Sequence, residues 1–322
     1  MARFPTIPDE LRISRLAPPS GNVRAVLDTD TYNEIDDQFA VAYAMLSPRH
    51  ISMEAIYAAP FFNNRSTGPG DGMEKSYEEI LRVLDKLGDK REDFVFRGST
   101  SYLTSAHQPV QSAAAEHLIC RATAADKPLY VLAIGAPTNV ASAILTEPSI
   151  IERIIVVWLG GNPLYWPHAN EFNLQQDLHA SRVLFDSGVP LVQVPCVNVA
   201  EHLRTTIPEL ERYLQGKGAL ADYLVDIFRG HHADHRGDTF AWSKVIWDIA
   251  TVAFLIEPAW IPTELAHSPI LTDRITYSSD RRRHLIRIAT HAERDCVFRD
   301  LFTKIRDHGI NPQRAETTRS DQ

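Results

Sequence analysis

Ten consecutive residues, Asp28-Thr29-Asp30-Thr31-Tyr32-Asn33-Glu34-Ile35-Asp36-Asp37, hold five carboxylates. Crowding like charges costs stability unless a cation neutralises them. Carboxylates, carbonyls and water are the ligands of hard cations such as Ca²⁺ or Mg²⁺. A short apolar run at 24–27 precedes the cluster and an apolar helical pattern at 37–46 follows it. Asp28 and Asp30 are therefore expected at the carboxyl edge of a strand. Asp36 and Asp37 are expected at the start of a helix, where the helix dipole favours negative charge. A solvated acidic loop with Asp36 as a helix cap is the plain alternative, but the buried flanks favour a metal or catalytic site.

The elements that must position this cluster follow from hydrophobic pattern. Apolar strand-length runs at 24–27, 51–58, 94–96, 129–134, 154–159 and 191–194 alternate with helical patterns at 37–46, 73–87, 110–124, 139–145 and 178–187. Continuous apolar strands separated by helices predict an α/β fold with an open, mostly parallel, Rossmann-like sheet covered on both faces. In such folds ligands bind beyond the carboxyl ends of the strands, where the acidic cluster falls. The later chain changes character. Helices are expected at 208–215, 220–229 and 244–256, then a pair of strands at 270–277 and 284–289 around the turn 278–283, then a helix at 296–307. The expected organisation is an irregular segment at 1–20, one α/β domain over 21–310 with a C-terminal helical and β-hairpin elaboration, and a polar tail at 311–322.

Composition narrows the function classes. The 322 residues carry a net charge of −8, so no basic surface for nucleic acid is expected. No apolar run approaches the ~18 residues of a membrane span. The first residues lack the apolar core of a secretion signal, and three distant cysteines form no disulfide framework. A soluble cytoplasmic enzyme is the expectation.

Two enzyme classes begin with a strand ending in Asp-x-Asp. In haloacid dehalogenase-type phosphatases the first Asp, here Asp28, is the nucleophile. That class expects Thr or Val where this chain has Tyr32, and an acidic pair after a later strand where this chain has Gly160-Gly161-Asn162. The second class fits better. Asp28-x-Asp30 followed by Asp36-Asp37 resembles the amino-terminal signature of the nucleoside hydrolases of the inosine-uridine-preferring type. Gly135-Ala136-Pro137-Thr138-Asn139-Val140-Ala141 is similar to that family's Gly-x-x-Thr-Asn-x-Ala segment. The run 156–161 resembles its strand ending in a Gly pair, Glu171-Phe172-Asn173 its Glu-Phe-Asn loop, and Trp247-Asp248-Ile249-Ala250 its late His-Asp-Pro-x-Ala.

That resemblance implies hydrolysis of a ribonucleoside's N-glycosidic bond to free base and ribose. It implies Ca²⁺ held by Asp30, Asp37, Asp248 and the Thr138 carbonyl, with Asp36 as general base. It also implies Asp28, Asn63, Glu171 and Asn173 near the sugar, and a homo-oligomer, dimer or tetramer. Two departures stand out. Five residues rather than three separate Asp30 from the Asp pair. Trp247 replaces the His linked to protonating the departing base, so His168, His231, His232 and His235 become the candidates for that acid, a role worth ~10²–10⁴ in rate. A non-catalytic Ca²⁺- and nucleoside-binding relative is the alternative that the missing His raises.

Overall fold

The computed structural model describes residues 4–235 and 240–310, the side chains of 232–235 excepted. An eight-stranded sheet runs through its centre. In chain order its strands are β1 (Val23–Thr29), β2 (Ile51–Ala58), β3 (Val95–Arg97), β4 (Leu129–Ala133), β5 (Ile154–Leu159) and β6 (Leu191–Val194). Two strands from the later chain extend it after the short ribbon β7 (Arg204–Thr205) and β8 (Lys244–Val245). These are β9 (Thr263–His267) and, beyond the two-residue strands β10 (Ile270–Leu271) and β11 (Tyr277–Ser278), β12 (Leu285–Ala289). The spatial order is β3-β2-β1-β4-β5-β6-β12-β9, parallel throughout except for the antiparallel edge strand β9.

The inner strands β4, β5 and β6 are buried at every residue, as a sheet covered by helices on both faces requires. Strand order reverses between β1 and β4, and that switch point opens a crevice at the strands' carboxyl ends. Two helices there are buried around their whole circumference. Every residue of helix Asp37–Met45 and of helix Ile249–Ile256 is buried, and the two pack against one another. Both begin with an acidic residue at or beside the first turn, so apolar packing draws Asp36, Asp37 and Asp248 into the same interior.

The C-terminal elaboration differs from expectation. Residues 285–289 do form a strand, but its hairpin partner is β9 at 263–267, while 270–271 and 277–278 pair separately. Strand β9 is an edge with mostly exposed, polar side chains, so no apolar alternation marks it. The helix expected at 244–256 starts only at Ile249, because Lys244 and Val245 pair with β7. The amino-terminal segment is not irregular throughout. Asp9–Leu16 is a helix, docked by the buried Leu16 and by Arg12, whose guanidinium donates to the Gly188 carbonyl at 2.8 Å. The tail at 311–322 lies outside the described residues.

Candidate active site

At the switch point the chain leaves β1 at Thr29 and enters the acidic loop. Asp30, Asn33, Glu34, Asp36 and Asp37 line a cavity of about 300 Å³ with Glu171, Asn173, Trp247 and Asp248. That volume is at the lower end for small-molecule sites. Asp36, Asp37 and Asp248 each offer a carboxylate oxygen within 4.8 Å of the others. Burial pushes all three carboxyls above their usual range, and mutual repulsion pushes Asp37 and Asp248 further; the Lys244 ammonium partly offsets this at Asp36. Asp30 stands beside the trio, and burial and the charges of Asp37 and Asp36 raise it well above normal. Its Oδ2 is buried without a hydrogen-bond partner.

Local packing explains these positions. Gly135, just after β4, leaves room for Asp30: a Cβ there would lie 3.0 Å from the Asp30 Cγ. The Thr29 hydroxyl donates to Asp37 Oδ1 at 2.5 Å, and the Trp247 amide donates to Asp36 Oδ2 at 3.2 Å. The acidic loop and the segment before Asp248 are thus joined directly. All the donors gathered here are oxygens. An orphaned, buried carboxylate oxygen among crowded carboxylates is a fit for a hard divalent cation.

The opposite wall comes from the loop after β5. Glu171 caps the short helix Phe172–Gln176, accepting from the amides of Asn173 and Leu174, and also from Gly161 at 2.8 Å. Burial raises its carboxyl, and these three amides pull it back toward ionisation. Asn173 spends its amide hydrogens on the carbonyls of Ile134 and Leu159, at 3.2 and 3.1 Å, which leaves Oδ1 as an acceptor. Cys196 lines the same wall, its thiol raised by burial and by the neighbouring Glu171.

Other expected site residues lie behind or beside the cavity. Asp28 is fully buried, accepts from Asn139 Nδ2 at 2.7 Å and is pushed up to about 7 by burial. It is not among the cavity-lining residues, so it supports the site from behind and does not present a nucleophile. Thr138 opens helix Thr138–Thr146, and its hydroxyl donates to Asp177 at 2.9 Å, tying the β4 exit to the β5 loop. Asn63 donates to the side chain of the cavity residue Asn33 at 2.6 Å and accepts from the Arg65 amide at 2.8 Å, a turn contact. His168 is exposed, and neither it nor His231 is among the lining residues. The side chains of His232 and His235 lie outside the described residues.

One residue of the site carried no motif signal. Lys244 is buried and ion-paired with Glu34, a residue of the lengthened loop. Burial pulls the lysine down, but Asp36, Glu34 and Asp248 more than restore it, so it stays a cation beside the acidic trio. Four residues before Asp248, it sits on β8, and only the ribbon β7–β8 turns it inward.

Comparisons with known proteins give the family and the fold. Residues 25–299 match the inosine-uridine preferring nucleoside hydrolase family. The pyrimidine-specific ribonucleoside hydrolase RihA of Salmonella paratyphi A is 23% identical over 255 residues, covering 69% of this chain and 76% of that protein. RihA of Escherichia coli is 25% identical over 260 residues, covering 71% and 78%. Among solved structures, a purine-preferring ribonucleoside hydrolase from Gardnerella vaginalis superposes with a TM-score of 0.72 at 19% identity, covering 89% of this chain and 99% of that one. An inosine-guanosine nucleoside hydrolase gives 0.71 at 17%, covering 88% and 98%.

Proposed function

Because the chain belongs to the inosine-uridine preferring nucleoside hydrolase family, we propose that it cleaves the N-glycosidic bond of ribonucleosides, releasing base and ribose in a Ca²⁺-dependent reaction. The observation that carries this reading is the convergence of Asp36, Asp37 and Asp248, from both ends of the matched region, on one cavity with the orphaned Asp30 oxygen. Asp30, Asp37, Asp248 and the Thr138 carbonyl are the residues that would hold the cation. Bound there, a divalent ion supplies a water of lowered pKa and a grip on vicinal hydroxyls.

The remaining work falls to side chains. Asp36 accepts the proton of the attacking water; its own charge is sustained by Lys244. Breaking the glycosidic bond builds oxocarbenium-like positive charge on the ribosyl ring, and the surrounding carboxylates stabilise it. Asn173 Oδ1, its amide already committed, accepts from a ribose hydroxyl, and Glu171 orients a second. Trp247 and Phe172 form the apolar wall on which the base rests.

The test is the release of reducing sugar from a panel of purine and pyrimidine ribonucleosides. Activity should vanish in chelator and return with Ca²⁺. Retained activity in chelator removes the metal from the mechanism. No ribose from any nucleoside with Ca²⁺ present would leave the chain a binding relative.

A further inference from the structure

A second cavity, of about 550 Å³, lies between helix Ile207–Tyr213, the turn holding Lys217 and the last described helix, Arg294–Ile310. Its lining includes five cations (Arg212, Lys217, Arg294, Arg299 and Arg306) against two carboxylates (Glu209 and Asp295), on a chain whose net charge is −8. Arg294 is paired with both carboxylates and Arg306 with its neighbour Asp307. The side chains of Arg212, Lys217 and Arg299 form no ion pair among the described residues. Unpaired cations gathered in one concave place are the electrostatic form of an anion site.

The floor is aromatic. Tyr213 is half exposed and stacks on Phe302 with ring centroids 5.8 Å apart and an interplanar angle of 27°, so its outer face is open. Arg294 lies over the Phe298 ring at 4.7 Å. The groove is also held in shape. Gly218 is at φ +111, and the Lys217 carbonyl presses on Gly309 so closely that a Cβ there would lie 1.4 Å from it. A preformed groove spends little binding energy on ordering itself.

We propose that this groove is a second ligand site, distinct from the acidic cavity, and that it takes a 5′-mononucleotide. Guanidinium and ammonium groups hold the phosphate, and the open face of Tyr213 stacks the base. Phosphate alone would leave the ring idle; an uncharged nucleoside would leave three cations unanswered. This inference stands apart from the hydrolase reading, since it uses none of the acidic-site residues.

Calorimetric titration of the full chain in chelator, free of divalent cations, tests it with uridine 5′-monophosphate, uridine and inorganic phosphate as probes. The monophosphate should bind at least tenfold tighter than phosphate, and uridine should give no heat. The exposed-residue double variant R212E/R299E should lose at least tenfold in monophosphate affinity while melting at the wild-type temperature. Tyr213→Ala should weaken the monophosphate and leave phosphate unchanged. Absence of heat with wild type, equal binding by the double variant, or phosphate matching the monophosphate would each overturn the assignment. So would sedimentation showing that the groove is covered by a second copy, released by R212E/R299E.

Discussion

Asp248→Asn should make the metal-free protein more stable while abolishing its response to Ca²⁺. At an effective dielectric of about 20, two ionised carboxylates at the 4.8 Å limit of the acidic trio repel by about 3.5 kcal/mol. Proton uptake caps that cost, since the raised carboxyls of Asp37 and Asp248 take protons before they bear the full repulsion. Neutralising one of three therefore recovers about 2 kcal/mol, and the Asn amide can still donate to Asp36. For a chain of 322 residues the entropy of melting converts this to about 1.5 °C per kcal/mol. The variant should melt about 3 °C above wild type in chelator. Wild type should gain about 4 °C with Ca²⁺ at a hundredfold excess over its dissociation constant, equivalent to ~2.7 kcal/mol, and the variant nothing. Scanning calorimetry in both buffers decides it. A variant that melts lower than wild type in chelator, or that keeps the Ca²⁺ increment, would refute the argument that charge crowding at these positions is relieved by a cation.

Four further outcomes are expected. Asp36→Ala should lower kcat at least ~10²-fold yet keep the Ca²⁺-dependent rise in Tm, because it removes a proton acceptor rather than the ion's grip; parallel kinetics and melting separate the two. Lys244→Met should cost about 2–4 kcal/mol in a denaturant melt, since it strips the buried cation from Glu34 and Asp36. Gly161→Ala should destabilise the fold and raise KM. Its φ of +69 disfavours a side chain, a Cβ would lie 2.2 Å from the Tyr277 hydroxyl, and the displaced amide is a donor to Glu171. His284, held down to about 3 by burial and by Arg12 and Arg283, takes a proton in the unfolded chain near pH 6.5 but not in the folded one. Stability should therefore fall as pH drops from about 6.5 toward 3, by no more than about 1.4 kcal/mol per pH unit from this residue, and His284→Gln should flatten that slope in pH-dependent melts.

The parallel half of the fold was legible because buried strands such as 154–159 carry uninterrupted apolar runs, and the helices between them keep their period. The edge was not: β9 pairs on one side only and exposes polar side chains, so nothing in its sequence demands a strand. The acidic loop and the Glu171 loop were legible because both combine dense polar chemistry with a flanking apolar element. Lys244 was hidden for the opposite reason. Its partner Glu34 lies 210 positions away, and a lone lysine before an apolar run looks like an ordinary surface residue. Asn63 and Asp28 show a further limit. Motif position brought them to the right neighbourhood, but whether a side chain faces the cavity or props up its wall depends on rotamer and packing.

The contact between Trp247 and Asp36 spans 211 positions of chain. A ribosome adding residues at ~5–20 per second completes the acidic loop long before Asp248 emerges, and domains gather from the amino end as they are made. The early carboxylates must wait, hydrated and mutually repelling, until the ribbon of Arg204–Thr205 and Lys244–Val245 delivers the missing acid and its lysine. On the proposed reading, ion uptake would therefore follow finished biosynthesis: a chain stalled or cut before residue 244 holds Asp30, Asp36 and Asp37 yet lacks Asp248 and Lys244, which complete the acidic cluster.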